Sequence, residues 1–400
     1  MDQRVALTKQ FKNTWGINKL GTALPSQNLQ LIYGDSYKLK NEGKIGFIAS
    51  ATYRNAETIN NEIRNDFNEL GPNTVGMPLF EYTDKYYNFS SSLALLANIA
   101  YSKGGTKFAF KNIYNQSYDE SYLNRVGSVY DIPRLQTVSQ QEINQKSMLN
   151  SVLEGDHLLS MGNKSKLNWN ISFSKITNDQ PDLRRLGYSK ATGAGSTPNA
   201  PYLAQVPNIA SANYAGRFFS DLDENIYSAS LNYTLPVKLF KQVQTFKAGL
   251  LKQYKDRAVQ ARVLGYVDLT TNTDDQNALL AQPQSQIFSA ANIASNKLIL
   301  DEITNPSNNY TGTGDLNAGY AMLSGTIANK LKATFGLRVE NYIEKLDTRT
   351  DVGKLNIENN YLDFLPSVNL TYELTPKANL RASYSNTVAR AQFRELAPFS

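Results

Sequence analysis

Residues 166–173 read Lys-Leu-Asn-Trp-Asn-Ile-Ser-Phe, so polar and apolar side chains alternate at every position. The odd positions carry Leu, Trp, Ile and Phe, and the even positions carry Lys, Asn, Asn and Ser. A period of two is typical of a β-strand that has one apolar and one polar face. The stretch therefore predicts an amphipathic strand, and the same pattern recurs almost to the end of the chain.

The alternation predicts about twelve strands, which pair as six hairpins. Their predicted bounds are 28–38 with 44–54, 86–98 with 106–115, 147–159 with 165–176, 224–234 with 243–254, 316–328 with 331–342, and 364–374 with 378–387. Most of these segments reach the roughly 9 to 11 residues that a tilted strand needs to cross a bilayer. The hairpins are therefore long enough to span a membrane.

The connections between these strands alternate between short and long. The long ones cover residues 55–85, 116–145, 177–223 and 256–315. A transmembrane barrel has this asymmetry, because short turns face the periplasm and long loops face outward. We therefore predict an all-β fold, a transmembrane antiparallel β-barrel with long extracellular loops and short periplasmic turns.

Composition agrees with a membrane barrel and argues against other classes. The apolar content is rich in aromatics, with 24 Tyr and 17 Phe in 400 residues, and such side chains favour strands and membrane interfaces. No apolar run approaches the roughly 18 residues of a transmembrane helix. The net charge of +6 is spread evenly, which gives no support for nucleic-acid binding.

The main alternative is a soluble all-β protein, such as a propeller or a double sandwich. A sandwich core packs mostly Val, Ile and Leu, whereas the apolar face here carries large aromatic residues on nearly every predicted strand. Such a face fits lipid and its interfacial girdles better than a protein interior. The pattern therefore favours the membrane barrel.

The sequence offers no catalytic or metal-binding constellation. His157 is the only histidine and there is no cysteine, so a transition-metal site would need carboxylates alone. The acidic pairs Asp223-Glu224 and Asp301-Glu302 are adjacent in sequence, and neighbouring residues of a strand point to opposite faces. We predict no enzymatic activity, no metal site and no cofactor.

Residues 364–399 read FLPSVNLTYELTPKANLRASYSNTVARAQFRELAPF. This segment resembles the recurrent barrel segment of TonB-dependent outer-membrane receptors, and residues 28–55 resemble an early barrel hairpin of that family as found in Bacteroidetes-like bacteria. The family implies a barrel of about 22 strands plugged by an N-terminal globular domain. With only about twelve strands predicted, we interpret the chain as an internal fragment of a larger barrel. Residues 1–27 would be a lead-in segment and 28–400 a partial barrel domain that lacks the plug and the C-terminal strands.

The resemblance implies uptake of a scarce ligand across the outer membrane of a Gram-negative bacterium. The ligand would be a siderophore, a cobalamin-like cofactor or an oligosaccharide, and the TonB energy-coupling complex would act through the missing plug. A passive porin or channel, a soluble β-rich carbohydrate-binding protein and a membrane-anchored adhesin remain as alternatives.

Two sets of residues are candidates for the site. The lumen-facing charges are expected on the polar faces of their strands, where their simpler role is to pair with one another or with the plug: Arg338, Glu340 and Arg381. The candidates for ligand contact are loop tyrosines that could stack on a sugar or an iron chelate: Tyr188, Tyr202, Tyr214 and Tyr310.

Overall fold

A computed structural model describes residues 2–17, 21–40, 42–68, 76–159, 164–239, 242–328 and 330–398. Its strands are Gln27–Lys38 (β1), Lys44–Phe67 (β2), Pro78–Lys103 (β3), Thr106–Val129 (β4), Arg134–Leu159 (β5), Ser165–Ala191 (β6), Leu203–Ala204 (β7), Gly216–Leu239 (β8), Gln242–Asp268 (β9), Leu298–Glu302 (β10), Tyr310–Ala328 (β11), Leu331–Thr350 (β12), Gly353–Thr375 (β13) and Ala378–Ser385 (β14). Its α-helices are Asp2–Thr8 (α1), Thr273–Leu280 (α2) and Phe393–Leu396 (α3).

All fourteen strands belong to one antiparallel sheet. Twelve of them follow one another across the sheet in chain order, while the short strands β7 and β10 pair beside β6 and β9. Strands β1 and β14 end the order, so the sheet is open along two edges. The prediction of an all-β partial barrel with about twelve strands is confirmed.

Several predicted long loops are wrong in their extent, because the strands continue through them. Only residues 130–133 separate β4 from β5, although the sequence predicts a loop over 116–145. The predicted boundaries follow apolar alternation, which stops where a strand leaves lipid. In β4 the backbone ladder continues beyond that point with largely polar side chains on both faces.

The strands are much longer than a bilayer requires. The 26 residues of β5 extend over about 86 Å at ~3.3 Å per residue, and a tilt of about 45° leaves a rise of about 60 Å. The hydrocarbon core is about 30 Å thick. About half of each long strand therefore stands outside the hydrocarbon.

Two of the predicted long connections persist at the same end of the sheet, which we call the loop end. Residues 192–215 contain β7, and residues 269–309 contain α2, β10 and a 3-10 turn at Pro306–Asn308. The opposite end, the turn end, has short connections such as residues 104–105 and 376–377. Part of the predicted loop 55–85 lies outside the described residues.

One face of the sheet, the apolar face, presents large apolar side chains to the surroundings. Leu337 is 46% exposed and Tyr372 is 44% exposed. Trp169 and Phe173 are also partly exposed, so none of these residues is sealed in a protein centre. On β12, alternate residues 331–339 are Leu, Ala, Phe, Leu and Val. These nine positions reach the roughly 9 to 11 residues that a tilted strand needs to cross a bilayer.

Ion pairs close this band on the loop-end side. By the alternation of their strands they lie on the apolar face: Lys175–Asp223 at 3.0 Å, Lys252–Asp315, and Lys345–Glu358 at 3.1 Å. Charged pairs are costly inside hydrocarbon and acceptable at its border. The pairs therefore mark the upper limit of the lipid-facing band.

A bulge at Pro181 and Asp182 changes the faces of β6. The register shifts between Gln180 and Leu183 against β8, and a matching shift occurs against β5. One extra residue moves every following side chain to the other face. Beyond the bulge, even-numbered residues of β6 such as Leu186 therefore lie on the apolar face.

Two hydrophobic clusters cover the sheet near the loop end. The loop-end core lies on the apolar side and combines strand residues with residues of the two long connections, 192–215 and 269–309, which we call the excursions. Its residues include Leu186, Leu264, Tyr266, Leu279, Ile287, Phe288, Leu298 and Leu300. Val5, Phe11 and Trp15 of the N-terminal segment pack against it. The inner cluster lies on the polar face and consists of Tyr310, Leu346, Phe393 and Ala397.

Candidate functional site on the polar face and at the loop end

A network of charged side chains lies on the polar face of β12 and β13. Arg338 Nε donates to Glu340 Oε1 at 2.7 Å, and Arg390 Nη2 lies 2.8 Å from Glu340 Oε2. Arg390 also donates to Asp363 Oδ2 at 2.6 Å. The network thus attaches the segment after β14 to the sheet.

Arg381 lies apart from this network. It is opposite Thr371 in the β13–β14 ladder, which places it on the polar face, and it is exposed. Within the described residues it forms no salt bridge. Arg338 and Glu340 pair with each other, whereas Arg381 remains the free cation of the three candidates.

A second charged group lies on the same face, level with the ion pairs that close the lipid-facing band. Arg257 Nη2 is 2.6 Å from Glu224 Oε2, directly across the β8–β9 ladder. Glu344 is only 1% exposed, and burial raises the pKa of its carboxyl group. Burial also lowers the pKa of the Lys255 ammonium group. Carboxylates and cations alternate here, so the group is nearly neutral overall.

Phe393 covers this second group. Its ring rests on Gly312, where an added Cβ would lie 2.9 Å from the ring atoms. Lys255 Nζ lies 4.4 Å and Arg257 Cζ 5.7 Å from the ring centroid, within cation–π range. Phe393 is 1% exposed and opens α3, which is capped by the reciprocal pair Gln392 and Glu395. The absence of a side chain at Gly312 therefore lets the Phe393 ring pack directly on the β11 backbone.

Sequence reasoning missed Arg390 and Phe393 as site residues. Both lie in the segment 364–399 that carries the family resemblance, which was the available signal. Their role depends on the chain folding back across the polar face after β14. Alternation of polar and apolar residues along a strand does not predict where the chain goes after that strand ends. Phe399, the last residue of that segment, lies outside the described residues.

At the loop end, two arginines clamp the N-terminal segment onto the sheet. Arg217 Nε donates to Asp182 Oδ1 at 3.0 Å, and its Nη1 donates to the carbonyl oxygen of Lys12 at 3.1 Å. Arg184 Nε donates to Asp182 Oδ2 at 2.7 Å and also donates to Thr14. Asp182 belongs to the bulge, so the irregularity in β6 supplies the shared acceptor.

The four tyrosine candidates do not form one site. Tyr188 lies in β6 rather than in a loop, packs against the loop-end core, and donates from its hydroxyl to the carbonyl oxygen of Gln282 at 2.9 Å. Burial raises its pKa. Tyr310 begins β11 and is buried in the inner cluster on the opposite face. The expectation that these two are loop residues is wrong, because strand extension carries both into the sheet.

The other two tyrosines lie in the excursion 192–215. Lys190 Nζ is 5.3 Å from the centroid of the Tyr202 ring, and Tyr214 is exposed. Tyr202 is half-buried. Ligand contact by any of the four tyrosines stays a prediction.

His157 and the acidic pair Asp223-Glu224, which the sequence analysis considered for chemistry, have local partners. His157 Nε2 accepts from Trp169 Nε1 at 3.1 Å, near the turn end of the apolar face. Asp223 pairs with Lys175 and Glu224 with Arg257, so this acidic pair does point to opposite faces. In the described part of the chain, no group of three or more His, Cys, Asp or Glu could hold a metal ion, and no helix is long and apolar enough to cross a bilayer.

Comparisons with known proteins give a family match and a structural likeness. Residues 282–400 match the family described as outer membrane protein beta-barrel family. The crystal structure of the siderophore receptor PiuA from Acinetobacter baumannii is similar over 92% of this chain and 50% of that chain, with 9% identity and a TM-score of 0.45. The chain thus spans about half the length of that receptor. No curated protein matches the sequence.

Proposed function

Because the chain forms part of a β-barrel in the outer membrane of a Gram-negative bacterium, we propose that it serves in a TonB-dependent receptor that takes up a scarce ligand. The supporting observation is the structured loop end. The strands rise about 30 Å beyond the hydrocarbon, and there they carry a hydrophobic core with helices and excursions of their own. A passive channel needs a wall and an open lumen, whereas a receptor needs an ordered outer surface.

The proposed ligand is a siderophore, a cobalamin-like cofactor or an oligosaccharide. Of the four tyrosine candidates, Tyr202 and Tyr214 lie in the connection 192–215, and their rings would offer stacking surfaces for a sugar or an iron chelate. Arg381 supplies a cation on the polar face that forms no salt bridge within the described part of the chain. We propose that the ligand first meets the tyrosines and later passes the polar face.

In this proposal the energy for uptake comes from the TonB complex, which would act through a plug domain of the full-length protein. Residues 28–400 would contribute the barrel wall, and residues 1–27 would lead into it. The paired charges around Glu340 would then form part of the surface that a plug contacts. Removal of those charges should therefore affect transport more than ligand binding.

The test uses the full-length receptor in its own bacterium, with a gene deletion strain as the baseline. Uptake of labelled ferric siderophores, corrinoids and oligosaccharides is measured with and without a protonophore, which removes the energy source of the TonB complex. Loss of uptake on deletion, together with loss on protonophore treatment, supports the proposal. Uptake that persists with the protonophore would indicate a passive channel instead.

Ligand contact is tested with Tyr202→Ala/Tyr214→Ala, and Tyr37→Ala at the turn end is the matched control. Stacking of one aromatic side chain contributes about 1 kcal/mol, so the double variant should bind about tenfold to thirtyfold more weakly. The control should bind normally. Unchanged binding by the double variant would remove the tyrosines from the proposal.

A further inference from the structure

Two cations face each other at the loop-end tip of β12 and β13. Arg349 is paired directly with Lys354 in the ladder, and both side chains are exposed on the apolar side of the sheet. Like charges directly opposite each other destabilise a sheet. Within the described residues neither side chain forms a salt bridge, and the carboxylate of nearby Asp347 accepts a hydrogen bond from Asn356 at 2.6 Å.

The cation pair borders a cavity of about 510 Å³ whose lining combines polar and apolar groups. This volume is within the range of small-molecule sites. Strand alternation places most of its lining on the same side as the lipid-facing band, and that lining includes Gln260, Thr311, Asp347, Arg349, Lys354 and Asn356. Amide, hydroxyl and cationic groups together suit a ligand that has both hydroxyl and anionic groups.

The height of the cavity limits what can fill it. Arg349 lies four residues beyond Lys345, whose pair with Glu358 marks the upper limit of the lipid-facing band. At ~3.3 Å per residue and a tilt of about 45°, the cavity lies about 9 Å beyond that limit. The head-group layer of an ordinary bilayer adds only about 5 to 8 Å on each side. A lipid that reaches this cavity must therefore carry a large head group.

We propose that this cavity binds the phosphorylated saccharide head group of an outer-leaflet glycolipid. A phosphate lies between Arg349 and Lys354 and relieves their mutual repulsion, while Gln260 and Asn356 bond to sugar hydroxyls. The site is on the outside of the barrel wall, away from the polar face. It therefore does not depend on the proposed uptake function.

The test compares Arg349→Gln/Lys354→Gln with the control Lys330→Gln/Lys377→Gln, which removes two positive charges at the turn end. Each protein in detergent is titrated with phosphorylated glycolipid from bacterial outer membranes, with the same glycolipid after dephosphorylation, and with the oligosaccharide released from its lipid. Bound glycolipid is counted by native mass spectrometry, and the shift in Tm is recorded alongside. Without glycolipid, all variants should have the Tm of the unmodified chain or a slightly higher one.

The proposal expects phosphorylated glycolipid to bind the unmodified chain and the control equally, and the site variant at least tenfold more weakly. Dephosphorylation should cause a similar loss in the unmodified chain and little further loss in the site variant. Equal binding by all three proteins would overturn the site. Equal binding of the released oligosaccharide and the whole glycolipid would assign the cavity to a soluble phosphorylated sugar and overturn the lipid assignment.

Discussion

Substitution of Arg217 by Gln tests whether the arginine clamp holds the N-terminal segment in place. The Arg217 side chain is 2% exposed and shares Asp182 with Arg184. Opening of the segment breaks the bond from Arg217 Nη1 to the carbonyl oxygen of Lys12, and a hydrogen bond from a charged group contributes about 1.5 to 3 kcal/mol. Because Arg184 still donates to Thr14 in the variant, we expect a loss of about 2 kcal/mol. This corresponds to an increase of about 30-fold in the opening equilibrium of the segment.

Hydrogen exchange measures this opening directly. The amides of Lys9, Gln10 and Phe11, just after α1, donate to carbonyl groups within that helix, so they report on the segment that the clamp holds. Arg262→Gln is the matched control, because Arg262 forms a two-pronged pair with Glu302 beside the same segment but its side chain is 61% exposed. Exposed pairs contribute about 0.2 to 1 kcal/mol, so exchange should rise less than about fivefold. Equal effects of the two substitutions, or unchanged exchange in the Arg217→Gln variant, would refute the reasoning.

Three further substitutions test other parts of the structure. Leu337→Arg places a charge in the lipid-facing band and should lower the free energy of unfolding in vesicles by about 2 to 4 kcal/mol. The control Asn369→Arg, on the polar face, should lower it by less than about 1 kcal/mol. Similar losses for the two variants in equilibrium unfolding would contradict the assignment of faces. Gly312→Ala should displace Phe393 from the sheet at a cost of about 1 to 3 kcal/mol and speed proteolysis within residues 386–398. The control Gly319→Ala adds a Cβ that comes no closer than 3.4 Å to its neighbours, so it should leave the proteolysis rate unchanged. The raised pKa of Glu344 means that the folded state holds more protons, so stability should fall as pH rises above 4.5 through that pKa; urea unfolding should show this fall in the unmodified chain and not in Glu344→Gln.

The membrane-level part of the fold could be predicted because lipid imposes a period of two on one face. Residues 331–339 alternate strictly, and β12 begins at the predicted Leu331. The upper halves of the strands could not be found this way. In residues 116–129 of β4 both faces are largely polar, so the sequence loses its alternation while the hydrogen-bonded ladder continues.

The candidate site could be predicted only where a single strand determines it. Arg338 and Glu340 are two residues apart on one strand, so their shared face follows from alternation alone. Tyr188 is misplaced in a loop by that reasoning, because the apolar alternation ends near residue 176 whereas β6 continues to Ala191. The contact between Thr8 Oγ1 and the amide of Leu300 joins residues 292 positions apart, and no local pattern reports such a contact.

The order of the strands also bears on how such a wall is built. Every long strand pairs with the long strands before and after it in the chain, so a growing sheet always presents the edge that the next hairpin needs. Insertion can then proceed hairpin by hairpin from one end, because each new strand pairs with the edge left by the strand synthesised just before it.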